Sequence, residues 1–345
     1  MSEAVRAALA SIVEGGTLSL DEARLAMGAV MDGEATPAQL AALLMGLRMR
    51  GETVDELAGF ASAMRERVVR VEAPQGTIDV VGTGGDGSGT FNISTASALV
   101  VAAAGVPVAK HGNRAITSKA GSADVLDALG VRVDHDAASA GAALRSNGFA
   151  FLFAPSFHPA MKHAGPTRRE IGVRTAFNLL GPLTNPAGTS RQILGVGDAA
   201  AAARIAEVAQ RLGTERTFVI HGAGIDELPL DDSGVLYHVA PDAIERHDIP
   251  ASKLGLRVTS TAKLAGGTPE DNARTIDAIF RGEPGVKRDV VLLNAGAAFL
   301  VAAEVENLEG GIERAALTID AGLVTDLLQR LRAERAEHVP AEAAT

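Results

Sequence analysis

Apolar residues recur at helical spacing near the N-terminus: Ala23, Met27 and Val30, then Leu40, Leu44 and Leu47, then Leu57, Phe60 and Met64. Each series opens on a matched cap. Ser19 with Glu22, Thr36 with Gln39 and Thr53 with Glu56 have the spacing at which two side chains satisfy each other's orphan backbone N–H groups, and Pro37 supplies a favoured first-turn proline. The pattern predicts three short amphipathic helices that bury one face against each other, making a small all-helical N-terminal domain over residues 1–72.

From residue 73 to 345 the period changes. Strand-like runs at Ile78–Val81, Val106–Lys110, Phe149–Ala154, Gln192–Val196, Thr217–His221 and Val235–Val239 are interspersed with helical runs. The helices are expected from Ile93 to Ala104, from a Ser122 cap to Gly130, over Ala137–Asn147 and Ala199–Leu212, and near 269–281, 288–303 and 312–335. Val131–Val133 reads as a short extended piece. Such alternation implies an α/β fold, a larger domain with a mostly parallel central sheet flanked by helices. One interval departs from it. Thr167 to Leu180 reads as helix and stops at Gly181-Pro182, which predicts that about 167–187 crosses back to the helical domain. Val290 to Ala303 is apolar, but Asn294 interrupts it and it is too short to span a bilayer, so it reads as a core helix. The tail after Glu337 is expected to fray.

A net charge of −10 and a pI near 5.3 argue against nucleic acid as a partner. Zero cysteines exclude disulfides, thiolate metal sites and cysteine nucleophiles, and suit a cytoplasmic enzyme. Met1-Ser2-Glu3 opens neither a basic region nor a long apolar run, so no signal peptide and no membrane partner is expected.

The densest chemistry lies at Gly82-Thr83-Gly84-Gly85-Asp86-Gly87-Ser88-Gly89-Thr90-Phe91-Asn92-Ile93-Ser94-Thr95, between a strand and a helix. Its glycines remove the Cβ atoms that would hold a backbone away from a ligand. Thr90, Asn92, Ser94 and Thr95 bring polar groups to a helix N-terminus, where unpartnered N–H groups and the dipole favour anions. This reads as a phosphate cradle. Gly82, Gly84 and Gly87 satisfy a dinucleotide fingerprint, but Leu99 to Asn113 carries no acid to hold a ribose, and no G-K-[ST] follows the glycines. The cradle therefore suits a highly charged phosphate compound rather than a dinucleotide or nucleoside triphosphate.

Three further constellations stand at strand ends or nearby. Lys110-His111-Gly112-Asn113-Arg114 sets two cations and an imidazole after a strand, where lysine serves as a point charge for phosphate and arginine binds bidentately. Asp226-Glu227 offers adjacent carboxylates of the kind that hold Mg²⁺ against substrate phosphates, while Asp231-Asp232 reads as a turn. His158-Pro159-Ala160-Met161-Lys162-His163 precedes Thr167-Arg168-Arg169-Glu170. The histidine spacing does not suit a helical metal pair, and His158 with Arg168 forms either a carboxylate pocket or part of an ordinary surface helix. No Ser-His-Asp pattern or G-x-S-x-G elbow supports covalent hydrolysis.

Six blocks occur in order: G-T-G-G-D-x-x-x-T-F-N-I-S-T (82–95), K-H-G-N-R (110–114), G-S-A-D-V-L (121–126), H-P-A-M (158–161), R-T-x-F-N-x-L-G-P-L-T-N-P (174–186) and G-I-D-E (224–227). Together they closely resemble the anthranilate phosphoribosyltransferase family, over nearly the whole chain. The resemblance implies a helical domain joined to an α/β domain, a fold shared with pyrimidine nucleoside phosphorylases, usually as a homodimer through the helical domains. It implies Mg²⁺-dependent transfer of phosphoribosyl from 5-phosphoribosyl 1-diphosphate (PRPP) to the amine of anthranilate, in tryptophan biosynthesis. By family position, Gly82, Gly85, Asp86, Thr90, Asn92, Ile93, Ser94 and Thr95 look like PRPP-loop residues, extended by Lys110 and Ser122. Ser94, Asp226 and Glu227 match metal positions. Gly82, Asn113 and Arg168 match anthranilate contacts, with His111, His158 and Pro182 lining the same route. Lys110, His111 and Arg168 are the candidate catalytic residues, His111 being a candidate base on family position alone. Gly266-Gly267-Thr268-Pro269-Glu270-Asp271-Asn272-Ala273 resembles the family's G-G-x-x-x-E-N-A stretch, with Asp271 where glutamate is usual; little consequence is expected. Two alternatives share the resemblance: a pyrimidine nucleoside phosphorylase-like enzyme, which would carry K-H-S-T-G-G where this chain has K-H-G-N-R, and a non-catalytic nucleic-acid-binding paralogue, which the acidic pI disfavours.

Overall fold

A computed structural model describes residues 2–115 and 119–338. All three N-terminal capping boxes are formed, at the starts of helices Leu20–Met31, Pro37–Arg50 and Val54–Glu66. Glu56 does more than cap. Fully buried, its carboxylate accepts from Thr53 N–H (2.8 Å) and from Leu18 N–H (2.9 Å), and it pairs with Arg50. It thereby ties the start of one helix to the loop before another. A helix the apolar pattern does not announce, Glu3–Val13, precedes them, started by a Ser2 side chain that accepts from Val5 N–H.

The larger unit is a seven-stranded sheet. Its strands are β1 (Ile78–Gly82), β2 (Val108–Gly112), β3 (Phe149–Phe153), β4 (Arg191–Gly195), β5 (Arg216–His221), β6 (Gly234–Val239) and β7 (Ile244–Ile249), in spatial order β3-β2-β1-β4-β5-β6-β7. The first five pair in parallel; β6 and β7 are antiparallel additions at one edge. The chain works outward from β1 through β2 to β3, then returns to lay β4 on the other side of β1. That reversal opens a crevice beyond the carboxyl ends of β1 and β4, where open α/β sheets bind ligands.

Alternation along the strands divides the core. Val80, Ile193, Phe218, Val108 and Phe151 face one side, packed with helices Ile93–Ala103, Val286–Val301, Leu308–Asp320 and Leu323–His338. Leu194 and Val219 face the other, joining helix Ala199–Arg211 and the N-terminal helices in one continuous core. Ala109, Ala150 and Leu152 pack there with helix Ala137–Asn147.

Several element expectations change. β7 is absent from the sequence reading because Glu245-Arg246-His247-Asp248 has no apolar alternation; it is a charged edge strand. The expected helix at 312–335 is two helices, parted at Gly322 (φ +77°). The expected helix at 167–180 is also two, Gly165–Ile171 and Phe177–Leu180, separated after the left-handed Gly172 (φ +69°). Val131–Val133 pairs with no strand. Gly121, not Ser122, is the cap of helix Ser122–Ala128, its N–H held by Asp124 at 3.0 Å. The stretch from Ala164 to Leu183 contributes Ala164, Ala176, Phe177, Leu180 and Leu183 to the core of the N-terminal helices. The frayed tail expected after Glu337 lies, from residue 339 on, outside the described residues.

Candidate active site

The crevice is built by absent side chains. A Cβ on Gly82, the last residue of β1, would stand 2.3 Å from Asp226 Oδ2, and one on Gly195, the last of β4, would stand 1.7 Å from Asp226 O. Only two bare strand ends allow the loop after β5 to lay Asp226 across the switch point. Gly84 and Gly85, at φ +64° and +63°, turn the glycine loop over it. Gly84 N–H donates to Asp226 Oδ2 at 2.7 Å, and Ser94 N–H, in the first turn of helix Ile93–Ala103, donates to Glu227 Oε1 at 2.9 Å. Amides of the expected cradle thus hold the acidic pair.

These carboxylates are held out of water with little compensation. Burial, with repulsion from Asp226 and Asp86, pushes Glu227 up to about 8 despite the Lys110 charge. Burial and Asp86 push Asp226 up to about 6. Asp86 itself accepts from Ser88 N–H and Oγ, and takes Asp226 N–H at 3.4 Å. A divalent cation would relieve the buried pair Asp226 and Glu227; Ser94, whose amide binds Glu227, keeps its Oγ 3.3 Å from Lys110 Nζ, and these oxygens are donors of the kind a hard ion takes.

The basic motif after β2 divides. Strand alternation sends Lys110 to the face of helix Ile93–Ala103, where Nζ donates to Val80 O (2.6 Å) and Ser94 Oγ. Burial pushes its ammonium down, while Asp79, Glu227 and Asp226 oppose that. His111 takes the opposite face. Its ring lies 5.1 Å, centroid to centroid, from that of His158. Both rings are buried, burial depresses them to about 3 and about 4, and the Nε2 atom of each is without a hydrogen-bond partner among the described residues. Two buried, neutral ring nitrogens are thus left without a hydrogen-bond partner among the described residues, as few buried polar atoms are. Beneath His111, Asp79 accepts its N–H (3.3 Å) and Asn185 Nδ2 (2.6 Å); burial still pushes Asp79 up to about 7.

Arg168 reaches back from the helix Gly165–Ile171. Half-buried, it stacks 4.7 Å over Phe177 and has no carboxylate partner among the described residues. Arg114, by contrast, is not a spare cation: it pairs with Asp124 (2.9 Å) and Asp127 (3.5 Å), which also fixes the loop that presents exposed Asn113. Ser122 Oγ donates to Asn113 O at 3.3 Å and crowds Gly112. Thr90 bridges to Ala265, at the glycine loop's far end. Ile93 and Thr95 are fully buried, so their side chains support the cradle instead of lining its open face.

Two contributors escape the sequence reading. Arg174, within the R-T-x-F-N block, donates to the carbonyls of Gly84 (3.0 Å) and Gly85, linking the crossing segment to the glycine loop. Asn272 donates to Asn92 Oδ1 (2.9 Å) and accepts Gly267 N–H (2.8 Å), so the G-G segment braces the cradle. Its neighbour Asp271 completes a capping box with Thr268, a task aspartate performs as glutamate would.

A glycine-rich loop and paired acids at the switch point of a mostly parallel sheet, joined to a helical unit, define a two-domain α/β architecture. Family models agree in both parts: residues 6–68 match the glycosyl transferase family helical bundle domain and residues 74–325 its a/b domain. An anthranilate phosphoribosyltransferase from Pelotomaculum thermopropionicum is 48% identical over 329 residues, 95% of this chain and 95% of that one. One from Xanthobacter autotrophicus is 47% identical, with 94% of each covered. Among solved structures, the enzyme of that name from Thermus thermophilus superposes at TM-score 0.90 with 43% identity, over 97% of this chain and 100% of that one. The Saccharomyces cerevisiae enzyme in complex with PRPP and Mg does so at 0.88 with 26% identity, over 97% and 99%. The chain belongs to the anthranilate phosphoribosyltransferase family of glycosyl transferases.

Proposed function

We propose that this protein transfers the 5-phosphoribosyl group of PRPP to the amine of anthranilate, releasing pyrophosphate, as a Mg²⁺-requiring step of tryptophan biosynthesis in the cytoplasm. The observation that carries the reading is the meeting, at one sheet end, of a glycine-rich loop, a helix N-terminus and the buried acidic pair Asp226 and Glu227. Family membership supplies the substrate names.

The bond between the anomeric carbon and the pyrophosphate oxygen breaks as the amine nitrogen bonds to that carbon. Mg²⁺, held by Asp226, Glu227 and Ser94, would neutralise the departing pyrophosphate. The glycine-loop amides other than Gly84, which is given to Asp226, hold the PRPP phosphates, with Asp86, Thr90, Asn92 and Ser122 around them. Lys110 sets a buried positive charge below, supporting leaving-group departure electrostatically. Arg168, Asn113 and Gly82 hold anthranilate, the arginine by its carboxylate, so that orientation supplies much of the rate. His111 and His158 are neutral at rest; His111, the candidate base, would take the amine proton at its partnerless Nε2 and be imidazolium until it passes the proton on.

A homodimer through the helical domain accompanies this reading. Val13 and Met49, 84% and 83% exposed on that domain, are large apolar groups suited to a partner copy. Sedimentation equilibrium checks it: Met49→Glu should shift the species toward monomer, and a wild-type monomer at all concentrations removes the dimer.

The decisive assay is the loss of anthranilate fluorescence on mixing with PRPP, with and without Mg²⁺. A fall that needs both is expected. Folded protein that leaves the signal unchanged would give the same crevice to another acceptor.

A further inference from the structure

The hairpin of β6 and β7, at the sheet edge, brings together His238, Glu245 and His247. His238 and Glu245 are direct cross-strand partners, and His247 stands two residues beyond Glu245, so strand alternation places all three on one face. One ligand atom from each lies within 4.8 Å of the others, and His247 Nε2 is 3.5 Å from Glu245 Oε2. Among the described residues this is the one group of three histidine or acidic side chains that converges in this way.

The geometry points to a second metal site here, for a borderline divalent transition ion such as Zn²⁺. Two imidazoles and one carboxylate are the ligand set such ions take in three-residue sites, leaving a position for water. Mg²⁺ prefers all-oxygen surroundings and dehydrates reluctantly, so the two metals sort between the two sites. The cluster is separate from the crevice. His238 pairs with Phe218, near the amino end of β5, whereas Asp226 and Glu227 follow its carboxyl end. His238 packs edge-on against Phe218 at 5.1 Å, and burial with the nearby Arg216 charge disfavours its protonation. Arg216 is occupied by the Leu300 carbonyl at 3.2 Å, and Arg246 with Asp248 pairs on the opposite face of β7. A bound ion would cross-link an edge strand that otherwise hangs by one ladder.

Titration calorimetry of the untagged full chain with Zn²⁺, in excess Mg²⁺ to fill the oxygen site, tests this. One Zn²⁺ per chain is expected, lost in His247→Ala and strongly weakened in Glu245→Gln. Both residues are exposed, so neither change should unfold the chain or alter transferase kinetics in Mg²⁺. No Zn²⁺ uptake by the wild type overturns the site, as does unchanged stoichiometry in His247→Ala. Loss of Zn²⁺ in Asp226→Asn, with His247→Ala unaffected, would assign the metal to the crevice and equally overturn it.

Discussion

Arg168 is a half-buried cation that no acid among the described residues engages, and burial disfavours its charge. A substrate carboxylate would return what burial removes. Arg168→Ala should raise the anthranilate KM about tenfold or more, since a charge-assisted hydrogen bond is worth about 1.5–3 kcal/mol. An unchanged KM takes Arg168 out of the pocket. The acids make a second prediction, through pH. Glu227 moves from 4.5 to about 8 and Asp79 from 3.8 to about 7, so the folded protein keeps protons that the unfolded chain has released. Their effect is a loss of stability as pH rises across those windows. His111 and His158 are depressed from 6.5; their contribution is complete above 6.5 and fades as pH falls toward 4 and 3. Below 6.5 the two trends oppose; between 6.5 and about 8 the histidines drop out and the raised acids work against the lowered Lys110. Metal-free protein should on balance lose on the order of 1 kcal/mol over that interval. Mg²⁺ should raise Tm more at its upper end than at its lower. Melting curves in EDTA that stay level or improve would refute the uncompensated acids. Sequence shows which residues carry charge, but not which are spare. Lys110 and His111 read as one basic patch, yet alternation sends them to opposite faces, and Arg114 is spent on Asp124 and Asp127.

At the scale of elements, β1 and β4 end on glycines because the loop after β5 must cross them. Gly195 is not at positive φ, so alanine there meets no backbone strain and acts only through its Cβ, 1.7 Å from Asp226 O. Gly195→Ala should push the acidic loop off the switch point. The Mg²⁺ concentration for half-maximal rate should rise at least roughly tenfold, the size of a lost charge-assisted contact, while the circular dichroism of the sheet persists. Mg²⁺ dependence like the wild type's would mean that Asp226 is not held there. Sequence cannot show this contact, because residues 195 and 226 meet only once β4 and β5 pair. Local signals fare differently. The capping boxes at Ser19, Thr36 and Thr53 are legible because each is closed within four residues. The break at Gly322 is hidden because apolar residues continue on both sides of it, and β7 because an edge strand needs no buried face.

In the whole molecule, the crossing segment is where the helical unit and the sheet act together. Alternating strands and helices announce a parallel sheet, and the glycine loop announces its carboxyl edge. The order that returns β4 to the side of β1, and so opens the crevice, is a long-range pairing that periodicity does not encode. The same limit hides Arg174. It sits ninety residues from Gly84, on a segment packed into the helical core, and holds the glycine loop by two carbonyls. By holding both carbonyls, Arg174 limits how the glycine loop can turn. Arg174→Ala should raise the PRPP KM several-fold, to about tenfold given its exposed position and the 1.5–3 kcal/mol of a charged hydrogen bond. The kcat should change less, since the acids and Lys110 are untouched. Arg174→Lys should recover only part of the loss, because one ammonium cannot span two carbonyls as a planar guanidinium does. If the loop is instead held by Asp226 and Ser88 alone, PRPP saturation curves of wild type and Arg174→Ala will superimpose, and the helical unit will have no hand in binding the phosphates.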